Sequence, residues 1–170
     1  MSLSQNAALS QISRHLTAAA MLAYEHGVGD LLSYARAKEF LAAQALGHRI
    51  AETYAGADAF NQKGESVEYK STTAKHCKGA YTGISVFETW EEQKEYLYKK
   101  LANYPEHYYN RFEGGILAES WKMKGTDVYK LLLPKLKKKF FSEIKRKDPR
   151  LSANITWSEI QDLGEKIIGQ

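Results

Sequence analysis

The element order readable in this chain predicts an α/β fold, a small mixed central sheet flanked by helices. Three observations carry that expectation. Ala- and Leu-rich stretches with helical spacing come first, short alternating runs bounded by Gly fill the middle, and a basic amphipathic stretch follows. At 170 residues the chain suits one domain, able to bury roughly 70% of the surface that its unfolded form exposes. Within it we distinguish a helical N-terminal region (residues 1–48), a sheet core (residues 49–123) and a basic helical C-terminal region (residues 124–170).

Leu9, Ile12, Leu16 and Ala20 recur at helical spacing, predicting a helix over Ala7 to Glu25 that packs by one face. Gly27 and Gly29 end it. Asp30 reads as the N-cap of a second helix, Leu31 to Leu46, closed by Gly47, with Leu31, Tyr34, Lys38, Leu41 and Ala45 on its packed side. Arg49 to Tyr54 is expected to form the first strand.

The next stretch organises the rest. Asn61-Gln62-Lys63-Gly64 carries the residues of a tight reversal, and Ser66 to Ser71 alternates in type as a strand does. Ala57 to Phe60 is the expected partner strand. A turn centred near Lys63 pairs residues whose numbers sum to 126, which sets Asp58 opposite Glu68. Side chains two apart on a strand share a face, so Glu68 and Lys70 point the same way and Asp58 joins them. Two clustered carboxylates repel and call for a cation, and hard oxygen ligands suit Mg²⁺. The same residues could also make an ordinary surface ion pair on an exposed hairpin.

From Ser71 to Ser85 the chain is polar. Lys75, His76, Lys78, Tyr81, Thr82 and Ser85 interleave cations, a ring and small donors, a mixture that suits a DNA groove, although a plain polar connection would look similar. His76 and Cys77 alone make no zinc site, which wants about four ligands. Glu88 to Leu101 reads as a helix with Thr89 as N-cap, and Trp90, Lys94, Leu97 and Leu101 run down one side. His107 to Phe112 and Gly115 to Met123 read as an antiparallel pair packed through Tyr108, Tyr109 and Trp121. Asp127 to Leu133 is expected as a helix, with Pro134 starting another that runs through Ile144 on a stripe of Leu132, Leu136, Phe140 and Ile144. A short helix, Trp157 to Leu163, and an apolar turn or strand at Lys166 to Ile168 close the chain.

An acid before a turn, followed by Val67-Glu68-Tyr69-Lys70-Ser71 on the next strand, resembles the PD-(D/E)xK nucleases, best known from type II restriction endonucleases. Ala57 stands where the motif's name has Pro. Lys78-Gly79-Ala80-Tyr81-Thr82 and the tail from Asp148 to Ile167 resemble the PvuII type of blunt-cutting enzyme. Acid-x-Lys also occurs at Glu92-Gln93-Lys94 and Glu143-Ile144-Lys145, but on helices, where the two side chains sit about 200° apart.

The resemblance implies a restriction-endonuclease-like core and Mg²⁺-dependent hydrolysis of DNA, with Mn²⁺ able to substitute. Asp58, Glu68 and Lys70 would be catalytic. Asp58, Glu68 and the Tyr69 backbone carbonyl would hold the metal, with Glu39 as a further candidate. It also implies double-stranded DNA as partner and a homodimer, whose interface we expect on the first two helices. The alternatives are a nuclease acting on branched or damaged DNA, and a DNA-binding domain without catalysis.

The charge pattern agrees with a polyanionic partner more than the total does. Net charge is only +4, yet Lys122 to Arg150 carries eleven Lys and Arg against Asp127, Glu143 and Asp148. A solvated helix face would carry the same bias. One cysteine forms no internal bridge, Met1 to Gln11 lacks the pattern of a signal peptide, and no segment is long and apolar enough to span a bilayer, so a cytoplasmic protein is expected.

Overall fold

A computed structural model describes residues 5–53, 56–142 and 149–169. The fold is mixed α/β. Its main sheet has six strands in the order β1 (Arg49–Ile50), β2 (Ala59–Phe60), β3 (Ser66–Thr72), β5 (Glu106–Glu113), β6 (Ile116–Lys124) and β8 (Glu165–Ile168). β3 and β5 run parallel, and every other neighbouring pair in this sheet is antiparallel. A separate antiparallel pair joins β4 (Gly79–Ile84) to β7 (Leu151–Ile155).

The sheet has two differently covered faces. On one, α2 (Arg36–Leu46) sets Ala42 and Ala43 against Val67, Tyr69, Tyr108, Phe112 and Leu117. Small residues on the helix let it sit close to the large rings of the strands. On the other, α3 (Trp90–Leu101), α4 (Gly125–Phe140), α5 (Trp157–Leu163) and the β4–β7 pair enclose the larger core, built on Leu97, Leu101, Leu132, Leu136, Ile155 and Ile160. Cys77 is buried in that core, its Sγ 3.4 Å from the Tyr109 carbonyl.

Local signals explain several boundaries. Thr89 accepts from the Glu92 N–H while Glu92 reaches back to the Thr89 N–H, a reciprocal cap that starts α3 where expected; Thr156 and Glu159 do the same for α5. Gly47, at φ 68°, ends α2 in the left-handed conformation that glycine reaches without strain.

The structure corrects four expectations. The helix α1 (Gln5–Glu25) buries only Ala23; Leu9, Ile12 and Leu16 of its apolar stripe are 57%, 54% and 47% exposed. The second helix starts at Arg36, because Tyr34 has a φ of 51° that no right-handed helix contains, and Asp30 instead caps a turn through the Leu32 N–H. Its buried side is Arg36, Ala42 and Ala43. Pro134 lies inside α4 and does not start a new helix: the buried row Val128, Leu132 and Leu136 holds the helix through the missing hydrogen bond. Of the first strand only Arg49–Ile50 forms. Tyr54, Ile144 and the basic run Lys145, Arg146 and Lys147 lie outside the described residues. Among the described residues no helix is long and apolar enough to cross a membrane.

Candidate active site

The hairpin between β2 and β3 has the register that its turn chemistry dictates. Ala59 pairs with Val67 and Phe60 with Ser66. Asn61 builds the turn. Its Oδ1 accepts from the N–H groups of Lys63 and Glu65, both at 3.0 Å, and its own N–H donates to the Glu65 carbonyl at 2.9 Å. Gly64 supplies the positive φ, 79°, that the reversal needs.

One residue beyond the paired strand, the Asp58 N–H still donates to the Val67 carbonyl, so Asp58 shares Val67 with Ala59, as in a bulge. It does not pair squarely with Glu68 as its position in the sequence suggests, although both acids line one cavity. The Tyr69 N–H donates to Asp58 Oδ2 at 2.6 Å. A residue's N–H and C=O leave a strand on the same side, so the Tyr69 carbonyl lies on that edge too. Its side chain points the other way, into the α2 face, where the hydroxyl meets His48 Nδ1 at 2.7 Å.

Glu68 and Lys70 form an ion pair, with side chains 21% and 20% exposed. The cluster is therefore recessed but reachable. Asp58 and Glu68 line a cavity of about 350 Å³ with Gly56, Tyr81, Lys100, Leu101, Tyr104 and His107. Burial, then the nearby Glu68 charge, pushes the Asp58 carboxyl up to about 7, against the pull of the Tyr69 N–H and Lys70. Two carboxylates in one recess hold more negative charge than Lys70 neutralises.

Glu39 borders a second, smaller cavity on the other side of Asp58, together with Tyr34 and Thr53. Its carboxylate accepts from Arg36 Nη1 at 3.2 Å. Arg36 is itself buried and donates to the carbonyls of Val28 and Ala51, so Glu39 is fixed by a structural cation. Among the described residues no three His, Cys, Asp or Glu side chains form a metal-holding group.

The six DNA-contact candidates separate. Lys75, His76, Lys78, Thr82 and Ser85 are exposed. Tyr81 is buried, 5% exposed, and is corrected from a groove contact to a core residue. The reason is the β4–β7 pairing, which turns Gly79, Tyr81 and Ile84 inward and leaves Lys78, Ala80 and Thr82 outside. His76 stacks on Trp157, ring centres 5.5 Å apart, so it belongs to a packed surface and not to a loose connection.

Sequence reading does not find Arg36, Lys100, Tyr104 and His107. His107 has a usable signal: an imidazole that shares its strand face with Tyr109 and packs into the core must find two hydrogen-bond partners. It finds the Leu101 carbonyl and the Tyr81 hydroxyl. Compared with models of known protein families and with curated protein sequences, the chain matches none.

Proposed function

We propose that the chain is a Mg²⁺-dependent endodeoxyribonuclease of the PD-(D/E)xK type, acting as a type II restriction enzyme on double-stranded DNA. One observation supports this most: a hairpin gathers Asp58, Glu68 and Lys70 at one open recess, with the two acids on its wall and the amine beside them. The donor set suits Mg²⁺, which binds through one or two carboxylates and keeps several waters. Asp58, Glu68 and the Tyr69 carbonyl would hold it.

When bound, the metal would polarise a phosphate oxygen and make water a better nucleophile at neutral pH. The remaining work falls to the chain's own groups. Asp58, clamped to the Tyr69 N–H, keeps its carboxylate in place without reorganisation. Lys70 exchanges its partner Glu68 for the scissile phosphate and stabilises charge that grows there during attack by water. Lys100, at the wall of the recess, adds a cation for the neighbouring phosphate. Exposed Lys75, His76, Lys78, Thr82 and Ser85 follow the catalytic strand and supply the groove contacts.

Cutting both strands with one recess per chain calls for two copies about a two-fold axis. The unpacked apolar side of α1 suits that role: Leu9, Ile12, Leu16, Met21, Tyr24 and Leu32 line a groove of about 740 Å³.

Digestion of a long DNA with Mg²⁺, followed by sequencing of the fragment ends, tests the reading. Discrete fragments sharing one end sequence are expected. An intact substrate, at any concentration that binds, would end the proposal, and preferential cutting of a four-way junction would move it to branched DNA.

A further inference from the structure

Tyr81 follows Lys75, His76 and Lys78, which are exposed, but its own surroundings give it a different task. The Leu101 carbonyl can only accept, so His107 Nε2 carries the proton and donates across 2.8 Å. His107 Nδ1 is then an acceptor, and the Tyr81 hydroxyl donates to it at 2.9 Å. With that proton committed, the Tyr109 hydroxyl donates to Tyr81 at 3.0 Å. All three residues are buried. Gly79 leaves room for this chain of bonds, because a Cβ there would collide with the Tyr109 ring. The Tyr81 ring is therefore fixed from behind by two hydrogen bonds, and its face is turned to Lys70, whose Nζ lies 4.9 Å from the ring centre.

We propose that Tyr81 is a positioning residue for Lys70, its anchored ring holding the ammonium beside Glu68 and the recess by cation–π attraction. A lysine stem has four flexible carbons, and a single solvent-reachable ion pair holds such a group weakly. The ring supplies a second contact on a different side of the ammonium and confines it to one place. Glu68 alone could not do this once a cation competes for its carboxylate or a phosphate for the ammonium. The ring has no such competitor. The catalytic consequence rests on the nuclease reading; the contact itself does not.

The test uses the full-length protein with isotopically labelled lysine, its Lys70 signal identified by comparison with Lys70→Arg. In the wild type the Lys70 ε-protons are expected upfield of the other lysines, shifted by the Tyr81 ring current. Tyr81→Leu should abolish that shift and slow single-turnover cleavage about 10- to 100-fold, the scale of a misplaced catalytic group, with little change in DNA affinity. Tyr81→Phe retains the ring and should retain the shift and most of the rate. Lys70 ε-protons that resonate with the bulk lysines in the wild type overturn the proposal without any variant. So does Tyr81→Leu cutting as fast as Tyr81→Phe. A wild type that never cuts DNA removes the nuclease reading, and the ring-current shift still decides the Lys70–Tyr81 contact.

Discussion

Asp58 Oδ2 accepts the Tyr69 backbone N–H at 2.6 Å, a bond from one strand of the hairpin to the strand that carries the other two candidate catalytic groups. The Asp58 backbone is held by its N–H to the Val67 carbonyl and by its carbonyl to the Ala51 N–H, and the bond to Tyr69 fixes the carboxylate itself relative to Glu68 and Lys70. The carboxylate substitutes for the missing backbone partner of β3. Its position is set by the ladder and not by side-chain freedom.

Removing the charge stabiliser should separate binding from cutting. Lys70→Ala and Glu68→Ala are expected to fold and to bind DNA, yet to cleave about 10²–10³-fold more slowly with Mg²⁺. Single-turnover rates beside gel-shift affinities make the check, with circular dichroism confirming the fold.

The turn should matter as much as the groups it aligns. Asn61→Ala removes two bonds from its Oδ1 and those of its amide to Glu65 and Glu106. A cost of about 1–2 kcal/mol in unfolding free energy is expected, together with slower cleavage. Urea denaturation measures the first. Wild-type stability in the variant would show that the backbone alone holds the register.

Stability of the metal-free protein should depend on pH through Asp58. Its carboxyl is raised from 3.8 to about 7 by burial and by Glu68, so the folded state keeps a proton that the unfolded chain has released. That contribution is complete below about pH 4 and is lost as pH rises through about 7. Burial lowers the His107 imidazole, whose contribution runs the opposite way and fades as pH falls. Asp58→Asn should therefore flatten the decline toward alkaline pH and leave the acid side alone. Urea midpoints measured across the range distinguish the two.

Metal binding should release protons for the same reason. Holding Mg²⁺ requires an ionised Asp58, so calorimetric titration near pH 6 should show a heat that varies with buffer ionisation enthalpy. Asp58→Asn should remove both the binding and the proton release.

Space behind the recess is expected to be equally exacting. A Cβ on Gly125 would run into the Tyr104 and Leu101 carbonyls, and Tyr104 and Leu101 both line the cavity. Gly125→Ala should destabilise the protein by roughly 1–3 kcal/mol, as overpacking does. Thermal unfolding gives the value.

Much of this site can be read from residue types because its geometry is local. Asn61 and Gly64 fix the turn, the turn fixes Ala59 against Val67, and Asp58 follows directly on that pair, within reach of the Tyr69 N–H. Tyr81 cannot be read in that way. Its burial depends on β7, a strand from the far end of the chain, and nothing between Ser71 and Ser85 announces that partner. The start of α2 escapes for a similar reason, since the Tyr34 backbone breaks a run whose residues all tolerate a helix. The helix α1 forms as its periodicity predicts but does not pack: periodicity shows that a face is apolar, not what covers it.

The lone thiol has a practical bearing. Cys77 is sealed in the larger core, and burial pushes its ionisation up to about 12, so alkylating reagents meet neither an accessible sulfur nor a thiolate. A cysteine introduced on the outer side of α1 or beside Lys78 would then be the one group a maleimide dye modifies. Distances between copies, or between protein and DNA, become measurable by fluorescence in an otherwise unaltered chain.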